Sequence, residues 1–152
     1  MNILITGGAG YIGSELVNFL LKSGHSVVVA DSLEYEPTSL LRYCSNENFK
    51  FVKLDIRRTD LLKDLMSKSD VIIPLACLVG FPVCEERPNE AVEINYKVNK
   101  WIADNKSTNQ IVIYPCTNSG YGSSENGVCT EESPMNPISI YGKTKVDAEK
   151  AY

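Results

Sequence analysis

The stretch "NILITGGAGYIG", residues 2–13, decides the fold. It begins as a continuous apolar run of strand length and then places four glycines within the eight positions 6–13. A glycine inside a helix or strand costs about 0.5–1 kcal/mol relative to alanine, so this density needs a cause other than element formation. The segment that follows, "YIGSELVNFLLKSG", has helical spacing, with Ile12, Leu16, Phe19 and Leu20 on one face and Gly24 as a C-cap. A strand, a glycine-rich turn and a helix therefore follow one another at once.

The same alternation continues along the chain. Strand-length apolar runs recur at "SVVVA" (26–30), "FKFVKLD" (49–55), "DVIIPLA" (70–76) and "QIVIYPC" (110–116). Several are unbroken rather than alternating, as expected of strands covered on both faces. Helical stretches lie between them at 57–69 and 88–105, while residues 32–48 are irregular, with one short helix near 38–44. Strand–helix alternation of this kind predicts an α/β fold whose parallel sheet is wound by right-handed crossovers.

Bulk properties narrow the class. The chain has 152 residues, 43% of them apolar and 22% charged, the balance of an ordinary soluble globular domain. A net charge of −4 offers no basic field to nucleic acid or an anionic membrane, and no apolar run approaches the ~20 residues of a membrane span. The strand beginning at Asn2 leaves no room for a signal peptide. The five cysteines (44, 77, 84, 116 and 129) are odd in number and lack Cys-x-x-Cys spacing. Reduced thiols, a cytoplasmic location and no metal site are expected.

In this context the glycines acquire roles. Gly7 allows the tight turn out of the strand, Gly10 lets backbone approach a pyrophosphate, and Gly13 lets the helix pack closely on the sheet. The helix N-terminus supplies N–H groups and partial positive charge for phosphates. The second strand ends in Asp31, 18 residues after Gly13, where a carboxylate accepts hydrogen bonds from both adenosine ribose hydroxyls and repels a 2′-phosphate. No Arg or Lys follows until Arg42, so NAD is favoured over NADP.

A second signal is "SIYGKTK", in which Tyr141 and Lys145 fall at i and i+4 on one helix face. Alone such a pair carries little, since many solvated helix faces hold one. A phenol of pKa near 10 is a poor base at neutral pH, and a fixed ammonium beside it favours the phenolate. Lys143 faces elsewhere and is expected to be solvated. His25, in "SGHSV", reads as a turn residue.

The spacing Thr6-Gly7-x-x-Gly10-x-x-Gly13, with Tyr141-x-x-x-Lys145, resembles the extended branch of the short-chain dehydrogenase/reductase superfamily, the sugar-nucleotide epimerases and dehydratases. The resemblance covers essentially the whole chain. It implies a Rossmann-type doubly wound parallel sheet with helices on both faces, binding NAD. Tyr11 and Ile12 join the three glycines against the cofactor. Asp55 and Ile56, in "KLDIRR", match the adenine-contacting segment. Leu75 and Ala76, in "PLAC", stand where the family shows His-Leu-Ala-Ala and lie along the cofactor. Asn95, in "EINYKVN", matches a family asparagine although the residues after it differ. In "YPCTNSGYG", Thr117 falls at the catalytic Ser/Thr position, with Ser119 as the fallback.

The implied chemistry is oxidation of a sugar hydroxyl of a nucleotide-sugar. Tyr141 accepts the proton, Lys145 binds the nicotinamide ribose and tunes Tyr141, and Thr117 holds the substrate oxygen. Dehydratases and decarboxylases of the branch carry a Glu two residues beyond the Thr, often preceded by Asp; here Asn118 and Ser119 stand there. That departure favours epimerisation over dehydration. A dehydrogenase or reductase of the same branch and a non-catalytic NAD sensor are the competing expectations. Glu125, Glu131 and Glu132 read as loop solvation, and Cys84 and Cys116 as small buried hydrophobes. The resemblance further implies a homodimer packed through the helices of Asn95 and Tyr141. It also implies that residues 1–152 are the NAD-binding domain, ending within the Tyr141 helix, with a substrate-binding part absent.

Overall fold

A computed structural model describes residues 1–35, 38–123 and 128–152; Glu125 lies outside the described residues. The chain forms two compact units, one of Met1–Ala76 with Asn105–Tyr114 and one of Cys77–Asp104 with Pro115–Tyr152.

The first unit is built on a parallel sheet. Its strands are β1 (Asn2–Thr6), β2 (Ser26–Asp31), β3 (Phe49–Lys53), β4 (Val71–Pro74) and β5 (Ile111–Val112). They lie in the order β3-β2-β1-β4-β5, the Rossmann-type arrangement expected. Register runs Asn2 to Ser26 and Ile3 to Val71, so β1 is flanked on both sides along its length. The apolar runs are continuous because both faces are covered: Leu4, Ile5, Val27, Val29 and Ile72 are fully buried. Strand order reverses direction between β1 and β4, and in open α/β sheets ligands bind beyond the carboxyl ends of strands at such a point.

The helices of this unit are α1 (Tyr11–Lys22) and α2 (Thr59–Ser67). The buried face of α1 differs from the one its apolar residues suggest. Gly13, Val17 and Leu20 face inward, while Ile12 and Phe19 are 64% and 67% exposed. The cause is Gly13. A Cβ there would stand 2.5 Å from Gly8 Cα, so the helix sits too close to the glycine loop for any side chain at that position, and its rotation follows. Gly24 closes the helix as expected, with φ +80 and its N–H donating to Leu21 O at 3.1 Å. The fifth strand is much shorter than the apolar run 110–116, with only Ile111 and Val112 in the ladder. It pairs on one side only, with β4. The expected short helix near 38–44 is a single 3₁₀ turn, Leu41–Tyr43.

The second unit contains α3 (Phe81–Glu86), α4 (Pro88–Ala91), α5 (Val98–Asn105) and α6 (Ile140–Glu149). The stretch expected as one helix over 88–105 is α4 and α5 joined through a π-helical segment, Val92–Lys97. The widened turn brings Asn95 to full burial, and the Asn99 amide donates to the carbonyls of Asn95 at 3.0 Å and Ile94 at 3.4 Å. The short α3 has no periodicity long enough to mark it in sequence.

Substituting Gly13 by Ala separates propensity from packing. Helix propensity alone would stabilise Gly13→Ala by about 1 kcal/mol. The close neighbours at Gly13 are backbone atoms of Gly8 and cannot rotate away, so a net loss of about 1–3 kcal/mol in urea unfolding is expected.

Candidate functional site

In the first unit the glycine loop is pinned at the ends of three strands. Gly7 has φ +71, and a Cβ there would lie 2.5 Å from Ala76 N, so only glycine permits both the turn and the contact. Its N–H donates to Ala30 O at 2.8 Å, and Leu75 N–H donates to Thr6 O at 2.9 Å. Ala76 N–H reaches Thr6 Oγ1 at 3.4 Å. Gly10 is the N-cap of α1, with no side-chain cap and no acid in the first turn. A Cβ on Gly10 would meet only Gly7 O, at 3.3 Å, so the approach to this helix end is open. Tyr11 and Ile12 lie exposed beside it.

Asp31 is tied to the same loop. Its Oδ2 accepts from Ala9 N–H at 2.9 Å and its Oδ1 from Leu33 N–H at 2.8 Å. Leu33 takes a left-handed φ of +60, and its side chain packs on the core. Two backbone donors thus fix the carboxylate while each oxygen retains a lone pair for a further donor. Arg42, the first cation after Asp31, pairs with Glu15 at 3.3 Å. Asp55 is half-buried, and its hydrogen bonds from the Arg57 side chain hold its carboxyl below the usual range. Ile56 is buried, and Leu75 and Ala76 are half-buried. An open helix end for phosphates and a fixed carboxylate for a vicinal diol fit an adenine dinucleotide.

In the second unit α6 is seated by two glycines. Ser139 Oγ caps the helix, accepting from Gly142 N–H at 3.0 Å. A Cβ on Gly142 would stand 2.8 Å from Ser119 O, and one on Gly120 the same distance from Val146 Cγ2. The 3₁₀ turn Asn118–Gly120 is thereby pressed on α6. Thr117 caps that turn, its Oγ1 accepting from Ser119 N–H at 3.2 Å. With that acceptor engaged, the Thr117 hydroxyl hydrogen is left to donate. Asn118 and Ser119 are exposed.

Tyr141 and Lys145 occupy one face of α6, one turn apart; Lys145 is 5% exposed while Lys143 is exposed, as expected. Burial raises the Tyr141 phenol above its ordinary value, and a side-chain hydrogen bond with Thr117 acts against that rise. Burial lowers Lys145, opposed by Cys77, Cys116 and Glu149. In the free protein desolvation is the largest influence on Tyr141, with Cys77 adding to the rise and Thr117 opposing it.

Asn95 is engaged within the second unit. Its side chain is fully buried and used internally: Oδ1 accepts from Leu78 N–H at 2.9 Å, and Nδ2 donates to Leu78 O at 3.0 Å. Nδ2 also reaches Thr144 Oγ1 on α6 at 3.4 Å. It acts as a clamp between the segment after β4 and α6, with no part of its side chain facing outward.

Cys77 is the residue that sequence reasoning passed over. Burial pushes its thiol up to about 11, and Lys145 and Cys84 act on it. The available signal was the Cys of "PLAC", standing where the family pattern has Ala. Cys84 is fully buried, as expected. Cys116 is half-buried and raised to about 11 by burial and by Glu149. Among the described residues there is no metal-ligating cluster, and no helix is long and apolar enough to cross a membrane.

Residues 3–152 match the model of the "NAD dependent epimerase/dehydratase family". The chain belongs to that family. It is 34% identical over 154 residues to the UDP-glucose 4-epimerase of Mycolicibacterium smegmatis, covering 98% of this chain and 49% of the relative. The dTDP-glucose 4,6-dehydratase of Streptomyces niveus is 31% identical over 155 residues, covering 95% and 46%. A structure of the UDP-glucuronic acid 4-epimerase of Bacillus cereus, solved with UDP-glucuronic acid and NAD, superimposes with a TM-score of 0.89 at 31% identity. That superposition covers 99% of this chain and 51% of the other. The chain spans about half the length of the curated relatives it matches.

The raised thiols and phenols make stability fall in alkali. Cys77, Cys116, Tyr141 and Tyr152 all hold their protons more tightly folded than unfolded. Above the ordinary thiol value of 9.0 the unfolded chain binds fewer protons than the fold, so unfolding free energy decreases with pH. Thermal melts from pH 8 upward are expected to be flat to about 9 and to drop steadily through about 11.

Proposed function

We propose that this chain carries the NAD-binding and catalytic residues of a nucleotide-sugar epimerase. The observation that carries the reading is the turn capped by Thr117, seated through Gly120 and Gly142 on α6, where Tyr141 and the buried Lys145 share one face. Gly7, Gly10 and Gly13, with Tyr11 and Ile12 at the helix end, hold the pyrophosphate of NAD. Asp31 takes the adenosine ribose, and Asp55 with Ile56 takes the adenine. Leu75 and Ala76 lie along the cofactor, and Lys145 binds its nicotinamide ribose. NAD, when bound, supplies a hydride acceptor that returns the same hydride.

The protein's own part is proton handling. Thr117 and Tyr141 together hold the sugar oxygen, and Tyr141 removes the proton from the hydroxyl being oxidised. On return, Tyr141 gives the proton back to the oxygen of the keto sugar, which has rotated to present its opposite face for reduction. The exposed Asn118 and Ser119 offer no carboxylate for eliminating water, which separates this reading from the dehydratase one. A homodimer of the whole protein belongs to the same proposal.

The test uses the whole protein with UDP-, GDP-, CDP- and dTDP-sugars and no added reductant, reading sugar protons by NMR. Appearance of an epimer at equilibrium is expected. A dehydrated sugar, or net consumption of NAD(P)H, would overturn epimerisation. Tyr141→Phe is expected to lower kcat on the order of 10²–10⁴-fold. Asp31→Ala is expected to weaken NAD binding and narrow its advantage over NADP, as read by calorimetry.

A further inference from the structure

The chemistry proposed above leaves two thiols unused at one point in the second unit. Cys77 Sγ and Cys84 Sγ each donate to the carbonyl oxygen of Leu78 at 3.3 Å. Two sulfurs bonded to the same oxygen stand no more than about twice that distance apart, and rotations about their Cα–Cβ bonds can bring them closer. The same oxygen also accepts from Asn95 Nδ2 at 3.0 Å. Three donors thus compete for two lone pairs, and thiols are the weak ones among them. Losing both S–H donors leaves Leu78 O satisfied by Asn95. The bond from Asn95 to Leu78 O remains when the thiols are lost as donors, while the contact of Asn95 Nδ2 with Cys84 Sγ at 3.9 Å changes with them.

We propose that Cys77 and Cys84 are a redox pair, closing to a disulfide that damps the activity of α6. Between them lies "LVGFPV", residues 78–83, with Gly80 at φ +93 turning the chain back. The oxidant is a small-molecule disulfide such as glutathione disulfide. Cys77 attacks first because it is half-buried whereas Cys84 is fully buried. Its thiolate takes one sulfur of glutathione disulfide, and the first glutathione leaves with the proton Cys77 gave up. Cys84 then displaces the second glutathione from Cys77, which leaves with the proton of Cys84. One protein disulfide forms and one glutathione disulfide becomes two thiols. Burial raises both thiols, with Lys145 opposing the rise at Cys77, Asn95 opposing it at Cys84 and Glu85 adding to it there. The exchange is accordingly slow at neutral pH and accelerates in alkali.

The effect on turnover rests on the reading of Tyr141 given above, since Tyr141 packs on the cluster of Leu78, Cys84 and Ala91 that ring closure displaces. The whole protein is incubated with glutathione disulfide, blocked with iodoacetamide and digested with trypsin. Both cysteines fall in one peptide, Ser69–Lys97, because the bond after Arg87 precedes Pro88. The expected peptide is lighter by two hydrogens, carries no alkyl group, and reverts with dithiothreitol. Cys84→Ser is expected to trap glutathione on Cys77. A wild-type peptide alkylated at both positions, or carrying glutathione on Cys77 with Cys84 free, overturns the pair. Turnover is expected to fall in step with the disulfide and to recover on reduction; a disulfide that leaves turnover unchanged overturns the switch. An inactive reduced protein counts against the epimerase reading alone, because the peptide masses report on the pair without it.

Discussion

The glycine loop depends on one close approach, that of the backbone at Gly7 to the backbone at Ala76. No side chain fits between them, and φ at Gly7 is positive. From that contact follow the landing of the loop on β4, the N–H of Gly7 on Ala30, and the position of Ala9 where Asp31 can accept from it. Each of these is a backbone interaction, so the shape of the loop is set by main chain and glycine alone. The side chain of Asp31 is then aimed by the loop itself, so the carboxylate and the open helix end are positioned in one step.

A different device organises the second unit. Here a single buried amide holds the backbone of Leu78 by both its N–H and its C=O and touches Thr144 on α6. The π-helical segment that contains Asn95 widens the helix enough to bury it. A regular helix would rotate the same residue relative to its neighbours, and an apolar substitute would leave the buried N–H of Leu78 unpaired at a cost of about 1–3 kcal/mol. The asparagine therefore braces the helix that bears Tyr141 and Lys145.

What could be read from the residues alone follows from how local each cause is. Four strands, the glycine loop, Asp31 and the Tyr141/Lys145 pair were legible because apolar runs, glycine spacing and an i, i+4 pair are properties of short windows. The rotation of α1 was not, because Gly13 sets it through a steric contact that a periodicity of apolar side chains does not register; Ile12 and Phe19 looked like core and are exposed. The role of Asn95 was hidden for a similar reason. Its partners are 17 and 49 residues away, and nothing in the sequence marks a π turn. The length of β5 was overread because "QIVIYPC" is apolar throughout, whereas its ladder partners extend only to Ile111 and Val112.

Burial also acts on the charge state of α6. Desolvation raises Tyr141 and lowers Lys145, so the same environment moves an acid and a base toward their neutral forms. A phenol that stays protonated in the free protein is a weak base, which would be a defect in an enzyme working in one direction only. Epimerisation needs both directions: the group that removes a proton in the first half-reaction must return it in the second. A shift far in either direction would slow one of the two half-reactions. Under the proposed function the opposed effects of burial and of the Thr117 hydrogen bond act on this one shared group.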